Sequence, residues 1–218
     1  MEVELIKNKI ESYKREGKSL FTTSSFQSHS IVLLHILSRI DDSIPVYFIN
    51  TGFHFPETIR FRDEITERFG LNLVDLKTPV SKIMQLNERG RFLYTSDPDY
   101  CCFLNKTQPM EQVMRQHDVW INGVRGDQSA VRKAMKEEQP APFGTLRFHP
   151  MLDWDNRKIY RYRKEFDLPA HPLEEKGYFS IGCAPCTRKY DPEMQEREAR
   201  WYGMKKTECG LHTDLASK

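Results

Sequence analysis

The five cysteines of this chain fall into three groups: an adjacent pair, Cys101-Cys102, a Cys183-Ala-Pro-Cys186 motif, and a lone Cys209 near the C-terminal end. Four grouped thiols can hold a metal ion or an iron–sulfur cluster, which leaves the fifth for nucleophilic chemistry. A disulfide framework fits poorly, because the count is odd and the opening MEVELIKNKI reads as an amphipathic helix rather than a signal peptide. Free thiols without an export signal lead us to expect a reducing, cytoplasmic setting. On the residues alone, iron–sulfur and zinc both stay open. Adjacent ligands are awkward for a zinc knuckle, where paired ligands are usually about two to four residues apart.

A second set of residues could bind an anion. The turn Ser24-Ser-Phe-Gln-Ser-His-Ser30 offers hydroxyls and helix-start amides, and Asn50-Thr51-Gly52 offers close backbone approach. The segment from Gly123 to Arg132 adds Arg125 and Arg132. There is no Walker lysine and no GxGxxG, so neither an ATPase nor a dinucleotide site is supported.

These groups need a scaffold that brings them to one edge. The chain has 218 residues, 39% of them hydrophobic, enough for one substantial core, and no apolar run long enough to span a bilayer. A net charge of +2 gives no global field that would select nucleic acid. A helix over residues 1–17 is closed by Gly17. Strands are predicted at 19–23, 46–50, 71–76 and 119–122. Helices are predicted at 30–40, from Pro56 to Gly70, through Lys106–His117 and at 155–166, with Asp155 as a cap. The stretch 134–145 reads as a polar loop. Alternating strands and helices of these lengths imply an α/β fold, a parallel sheet with helices on both faces, with ligands at the carboxyl ends of the strands. Two parts are expected: an α/β domain over 1–186 and a tail over 187–218 carrying Cys209. Trp120, Trp154 and Trp201 are expected to pack rather than stack on bases, and His35 to sit at the core edge. His54, His149 and His171 lack metal-ligand spacing and receive no role.

The ordered set Asn50-Thr-Gly-Phe-His-Phe-Pro-Glu-Thr58, Asp97-Pro-Asp-Tyr-Cys-Cys102, Gly177-Tyr-Phe-Ser-Ile-Gly-Cys-Ala-Pro-Cys186 and Glu208-Cys-Gly-Leu-His212 resembles the assimilatory adenylylsulfate/phosphoadenylylsulfate reductases of the cluster-containing type. The resemblance runs from about residue 19 to 212. It implies an adenine-nucleotide α-hydrolase-like (PP-loop-type) fold with a C-terminal redox-active tail. It further implies reduction of adenylylsulfate to sulfite and AMP, with thioredoxin or glutaredoxin as electron donor. By the same resemblance, Cys101, Cys102, Cys183 and Cys186 are expected to ligate a 4Fe–4S cluster, which makes iron–sulfur the preferred choice over zinc. Lys106 matches the lysine between cluster and substrate. Ser25, Gly123, Arg125 and Arg132 match the substrate-contacting region, and Arg197 and Arg200 match an arginine pair for the sulfate end. Cys209 matches the nucleophile and His212 its neighbour. His212, Lys205 and Lys206 are expected to favour the Cys209 thiolate electrostatically, although solvated tail charge is the stronger reading of the two lysines.

Three rival readings remain. The substrate could be the 3′-phosphorylated nucleotide, or both nucleotides. A tRNA-thiolase-like enzyme would need an ATP-type glycine-rich loop and a basic RNA surface, and neither is visible. A zinc-stabilised binding module would be colourless and would not need Cys209. The sequence leaves a homo-oligomer open and predicts no nucleic-acid or membrane partner.

Overall fold

The computed structural model describes residues 1–193, 196–204, 206 and 208–212, without the side chains of residues 196 and 197. In chain order the elements begin α1 (Val3–Arg15), β1 (Leu20–Thr23), α2 (Ser30–Ile40), β2 (Val46–Asn50), α3 (Pro56–Phe69) and β3 (Leu73–Lys77). They continue through α4 (Leu93–Ser96), α5 (Pro98–Cys102), α6 (Gln108–Gln116), β4 (Val119–Ile121), α7 (Ala130–Lys133), β5 (Glu138–Pro140), β6 (Leu146–Phe148) and α8 (Asn156–Glu165). Local chemistry sets several of these boundaries as the sequence implies. Pro56 opens α3, Glu57 lies at its positive end, and Gly70 closes it at φ 62 in the left-handed region. Asp155 caps α8 by accepting from Lys158 N–H at 2.7 Å.

The six strands lie in the order β3-β2-β1-β4-β6-β5. All neighbours are parallel except β5, which runs antiparallel to β6. β5 falls in the stretch read from sequence as a loop. Its polar composition hid it, and Pro140 is tolerated because an edge strand leaves one side unpaired.

Alternation along the strands builds two layers. Leu20, Val46, Phe48, Val119, Ile121 and Phe148 join residues of α1, α2, α3 and α8 in the larger core. Phe21 and Trp120 point the other way and pack with Met110, Val113 and Met114 of α6. Helices therefore cover both faces, as expected. Each fully buried Ile or Phe of the larger layer contributes about 1.5–3 kcal/mol, so that face is the rigid support for the smaller, ligand-facing one. The chain leaves β1 toward β2 on one side and returns through β4 on the other. The carboxyl ends of β1 and β4 thus form a topological switch point, where such sheets bind ligands.

Between α5 and α6 the helix does not run on regularly. Residues Phe103–Thr107 form a π-helical turn, a feature that tends to mark functional sites. Lys106, expected in an ordinary helix, lies within this wide turn. Beneath it, the buried amides of Gln85 and Asn105 bond reciprocally at 2.6 and 3.1 Å, and Asn105 also donates to the Cys101 carbonyl at 2.9 Å. Satisfied polar groups of this kind fix the pitch of the cysteine-bearing helix.

Candidate active site

A cleft opens at the switch point. It is lined by Ser24, Ser25, Gln27 and Ser30 after β1, by Asn122, Gly123, Arg125 and Arg132 after β4, and by Lys106, Gly182, Arg200, Cys209, Leu211 and His212. The four cations Lys106, Arg125, Arg132 and Arg200 reach this lining, and among the described residues no carboxylate does. Such a cleft suits an anion.

The serine turn is set by Phe26. Its φ of 52 is unusual for a bulky residue, and its side chain is fully buried with Phe48, ring centroids 5.8 Å apart. With Phe26 anchored below, Ser25 stands exposed in the cleft, and its hydroxyl accepts from Gln27 Nε2 at 3.0 Å. Gly123 also lies on the cleft wall, where an added Cβ would meet only Leu33, at 3.5 Å. Arg125 is 2% exposed, donates to Asn156 Oδ1 at 2.7 Å and pairs with Asp127 at 3.2 Å.

Cys101, Cys102, Cys183 and Cys186 line a second, adjoining cavity, and Lys106 reaches both spaces. The Cys183 loop is carried there by an antiparallel bridge between His54 and Cys183 and by Ala184 N–H donating to the Phe53 carbonyl at 2.7 Å. Polar groups already touch two of the sulfurs: Thr51 Oγ1 lies 3.2 Å from Cys183 Sγ, and Asn105 Nδ2 lies 3.7 Å from Cys101 Sγ. Burial, with the neighbouring Cys183 and Cys186, pushes the Cys101 thiol up to about 11, and burial also pushes Cys186 up. Burial would push Lys106 down, but the attraction of the neighbouring cysteine sulfurs, Cys209 first, overcomes it and holds the ammonium charged. His54, given no role from sequence, serves this architecture: Nε2 meets the Ile49 carbonyl at 3.0 Å, and burial holds its ring down to about 4.

Beyond Cys186 the chain folds back on itself. Arg188 N–H donates to the Ala199 carbonyl at 2.9 Å, and Trp201 N–H to the Cys186 carbonyl at 3.0 Å. Arg200 donates to the Ile181 carbonyl at 3.1 Å and lies across Gly182, where a Cβ would come within 2.2 Å of the guanidinium. The glycine is needed for that close approach. The side chain of Arg197, its expected partner for the sulfate end, lies outside the described residues.

Three contacts then seat the tail. Lys206 pairs with Asp99 of α5 and its side chain is only 8% exposed, so it is not the solvated charge expected from sequence; Lys205 lies outside the described residues. Glu208, 5% exposed, accepts from Arg132 Nε and Nη2, both at 3.2 Å, and from Ser129 Oγ at 2.8 Å. Arg147 on β6 donates to the Leu211 carbonyl at 3.3 Å and meets His212 Nδ1 at 3.0 Å.

The half-buried Cys209 is thereby brought against Cys102. Its thiol is held well below the ordinary range by a hydrogen bond from Cys102, against the opposing effect of burial, and then by Lys106, the Leu211 N–H and Arg200. The Cys102 thiol is correspondingly pushed up, first by that same hydrogen bond. A Cys102 sulfur bound to iron would donate no proton, which would leave Lys106, the Leu211 N–H and Arg200 to favour the thiolate.

Comparison with known proteins decides the family. The profile of the phosphoadenosine phosphosulfate reductase domain matches residues 19–189. An adenosine 5′-phosphosulfate reductase of Chelativorans sp. (strain BNC1) is 37% identical over 211 residues, 96% of this chain and 84% of the relative. The chain belongs to the adenylylsulfate/phosphoadenylylsulfate reductase family. A phosphoadenosine 5′-phosphosulfate reductase of Gloeobacter violaceus is nearly as similar to this reductase, 35% identical over 90% of this chain and 83% of its own. A crystal structure of phosphoadenylyl-sulfate reductase from Candida auris shares the fold, with TM-score 0.65 and 24% identity over 76% of this chain and 81% of that one. The reductase is thus an oxidoreductase of sulfate assimilation on the expected PP-loop-type fold. None of its described helices is long and apolar enough to cross a membrane.

Sequence reasoning on this reductase missed Arg147 and Asn105, and it quoted Thr51 and Glu208 without the contacts they make here. Glu208 had a signal, its place beside Cys209. So did Arg147, a charged residue in the middle of a strand that a parallel sheet buries.

Proposed function

We propose that this reductase converts adenylylsulfate to sulfite and AMP through an S-sulfocysteine on Cys209, with thioredoxin or glutaredoxin as electron donor. The observation that carries the reading is the position of Cys209. Its sulfur lies at the junction of a cationic cleft, free of carboxylates among the described residues, and a cavity lined by four cysteines.

In this reading the nucleotide enters over the serine turn, with Ser25 and Gly123 at its polar groups. Lys106, Arg200 and Arg197 neutralise the sulfuryl oxygens, so that the Cys209 thiolate attacks sulfur, forming an S–S bond as the S–O bond to AMP breaks. Arg125 and Arg132 hold the cleft wall, and Arg132 does so while gripping Glu208 of the tail. A donor thiolate then attacks Cys209 Sγ and expels sulfite. The donor's second thiol resolves the mixed disulfide, so two electrons pass from dithiol to sulfur. The reaction needs Cys209 closed in the first step and reachable in the second. We therefore treat residues 187–218 as a working part separate from the 1–186 domain, in a cytoplasmic setting where the thiols stay reduced.

Cys101, Cys102, Cys183 and Cys186 would hold a 4Fe–4S cluster. Among the described residues their cavity has no oxygen-anion or imidazole ligand in its lining, two sulfurs already have polar partners, and Lys106 supplies a compensating charge. A single zinc ion would draw its thiolates to about 3.8 Å from one another, from Zn–S bonds of about 2.3 Å. Among the described residues no group of three His, Cys, Asp or Glu is arranged to hold one ion. When bound, the cluster ties the two cysteine segments together and sets the local field, while the electrons come from the thiol donor.

The 3′-phosphorylated nucleotide is the second reading, favoured by a lining that carries four cations, two of them (Arg125 and Arg132) already paired with Asp127 and Glu208, and no acid among the described residues. Sulfite release from each nucleotide separately, with thioredoxin supplied, ranks the two. The central test is Cys209→Ser with adenylylsulfate labelled in sulfur and no donor. The unaltered protein traps the label covalently and the serine variant does not; equal labelling would remove Cys209 as nucleophile.

A further inference from the structure

Arg147 has no part in the reaction proposed above, and its surroundings are unusual. It lies in the middle of β6 with its side chain fully buried, its guanidinium 4.8 Å from the Trp120 ring. It donates to Asn122 Oδ1 at 3.1 Å, to the Leu211 carbonyl at 3.3 Å, and across 65 residues of chain to His212 Nδ1 at 3.0 Å. A buried cation in a sheet is costly unless its donors are satisfied. Two of its three hydrogen-bond partners are tail atoms, and Nε has none among the described residues, so the docked tail and the buried arginine stabilise each other. Burial and the nearby Arg132 lower Arg147 only to about 10, which leaves it a cation at neutral pH.

A guanidinium has donors and no acceptor. An imidazole nitrogen facing it at 3.0 Å must present a lone pair, which places the ring proton on the other nitrogen. We propose that Arg147 is a positioning residue for the reaction: it fixes His212 as the neutral Nε2–H tautomer and seats the turn carrying Cys209 over the cleft. On this proposal the His212 ring is neutral, because a protonated Nδ1 would set donor against donor. The thiolate is favoured by Lys106, Arg200 and the Leu211 N–H, and His212 lines the same cleft as Cys209. The turn is short and closed, with His212 N–H donating to the Cys209 carbonyl at 2.8 Å, so fixing one residue fixes the other.

The proposal rests on the reading of Cys209 as nucleophile, and its test can fail independently of that reading. The full chain is labelled with ¹⁵N at its seven histidines, and His212→Gln identifies the His212 signals by their loss. In the unaltered protein Nδ1 of His212 should resonate as an unprotonated nitrogen and Nε2 as a protonated one. A protonated Nδ1 overturns the proposal without any change at position 147. Arg147→Met, similar in reach but without donors, should give a mixture of tautomers. It should also raise the rate at which iodoacetamide alkylates Cys209, read by mass spectrometry, by about tenfold or more. With adenylylsulfate, kcat should fall by a similar factor while KM stays within about twofold. Arg147→Lys keeps a charge and a donor but not the fork, and should restore part of both. A tautomer and alkylation rate unchanged in Arg147→Met would overturn the positioning role. An unchanged kcat alongside a shifted tautomer would overturn its bearing on turnover. Neither the tautomer nor the alkylation rate depends on sulfotransfer to Cys209, which the label-trapping experiment tests separately.

Discussion

Glu208→Gln removes one charge from a pair that is almost wholly buried, with Arg132 at 8% and Glu208 at 5% exposure. At 3.2 Å and an effective dielectric of about 20, the two charges attract by about 5 kcal/mol. Stranding one member of such a pair costs about 3–5 kcal/mol. The reductase need not bear that cost in full, because the tail can lift and return Arg132 to water. The expected outcome is therefore a shift toward the open tail rather than unfolding. A change of about 3 kcal/mol corresponds to about a hundredfold in the closed-to-open ratio. Alkylation of Cys209 by iodoacetamide should accelerate by about ten- to a hundredfold, and sulfite release from adenylylsulfate should fall by a comparable factor. The melting temperature of the main domain should move little. Combining Glu208→Leu with Arg132→Met, which replaces the pair by apolar groups, should restore much of the protection from alkylation without restoring turnover. If Glu208→Gln leaves alkylation and sulfite release within about twofold of the unaltered protein, the ion pair does not hold the tail and the reasoning fails.

Gly182→Ala forces the Arg200 guanidinium off the Ile181 carbonyl, since the new Cβ would lie 2.2 Å from it. Catalytic efficiency should fall about tenfold or more with little change in melting temperature, and retained efficiency would remove Arg200 from the sulfuryl site. His149 and His171 are fully buried and held down to about 4, chiefly by burial. Their lowered values mean the unfolded chain binds protons first, so their contribution is complete above about pH 6.5 and is lost as pH falls toward about 4. The ceiling is about 3 kcal/mol for each. Urea midpoints measured across that range should fall with acid, and His171→Gln should flatten the slope. Cys186→Ala should lower bound iron and acid-labile sulfide well below the unaltered level, while Cys209→Ser leaves both unchanged; iron retained in Cys186→Ala would remove that cysteine as a ligand.

The parts of this structure legible in the sequence are those written locally. Strands β1, β2 and β4, the start and end of α3, and the cap of α8 follow from hydrophobic period, proline, glycine and aspartate at defined positions. The cysteine groups were legible because clustered thiols are rare by accident. Contacts set by distant pairing were not legible. Glu208 meets Arg132 across 76 residues, and no local pattern encodes that pairing. The π-helical turn at 103–107 depends on hydrogen-bond register, which side-chain periodicity does not report. β5 was read as a loop because an edge strand needs neither hydrophobic alternation nor freedom from proline. The contact of His212 with Arg147 was hidden for the same reason as that of Glu208, since 65 residues separate the two.

The meeting of Cys209 with Cys102 bears on how the purified enzyme must be handled. Were iron to occupy Cys102, as proposed, its sulfur would be committed and the neighbouring thiolate would face only substrate. Without iron, the same two atoms would be an oxidisable couple already in contact. Peroxide or dissolved oxygen would join them as a disulfide, shutting the tail by a covalent bond across the very groups needed for rebuilding the centre. If the proposed cluster is present, protein stripped of it should regain turnover when reductant precedes iron and sulfide, and fail to regain it when the order is reversed.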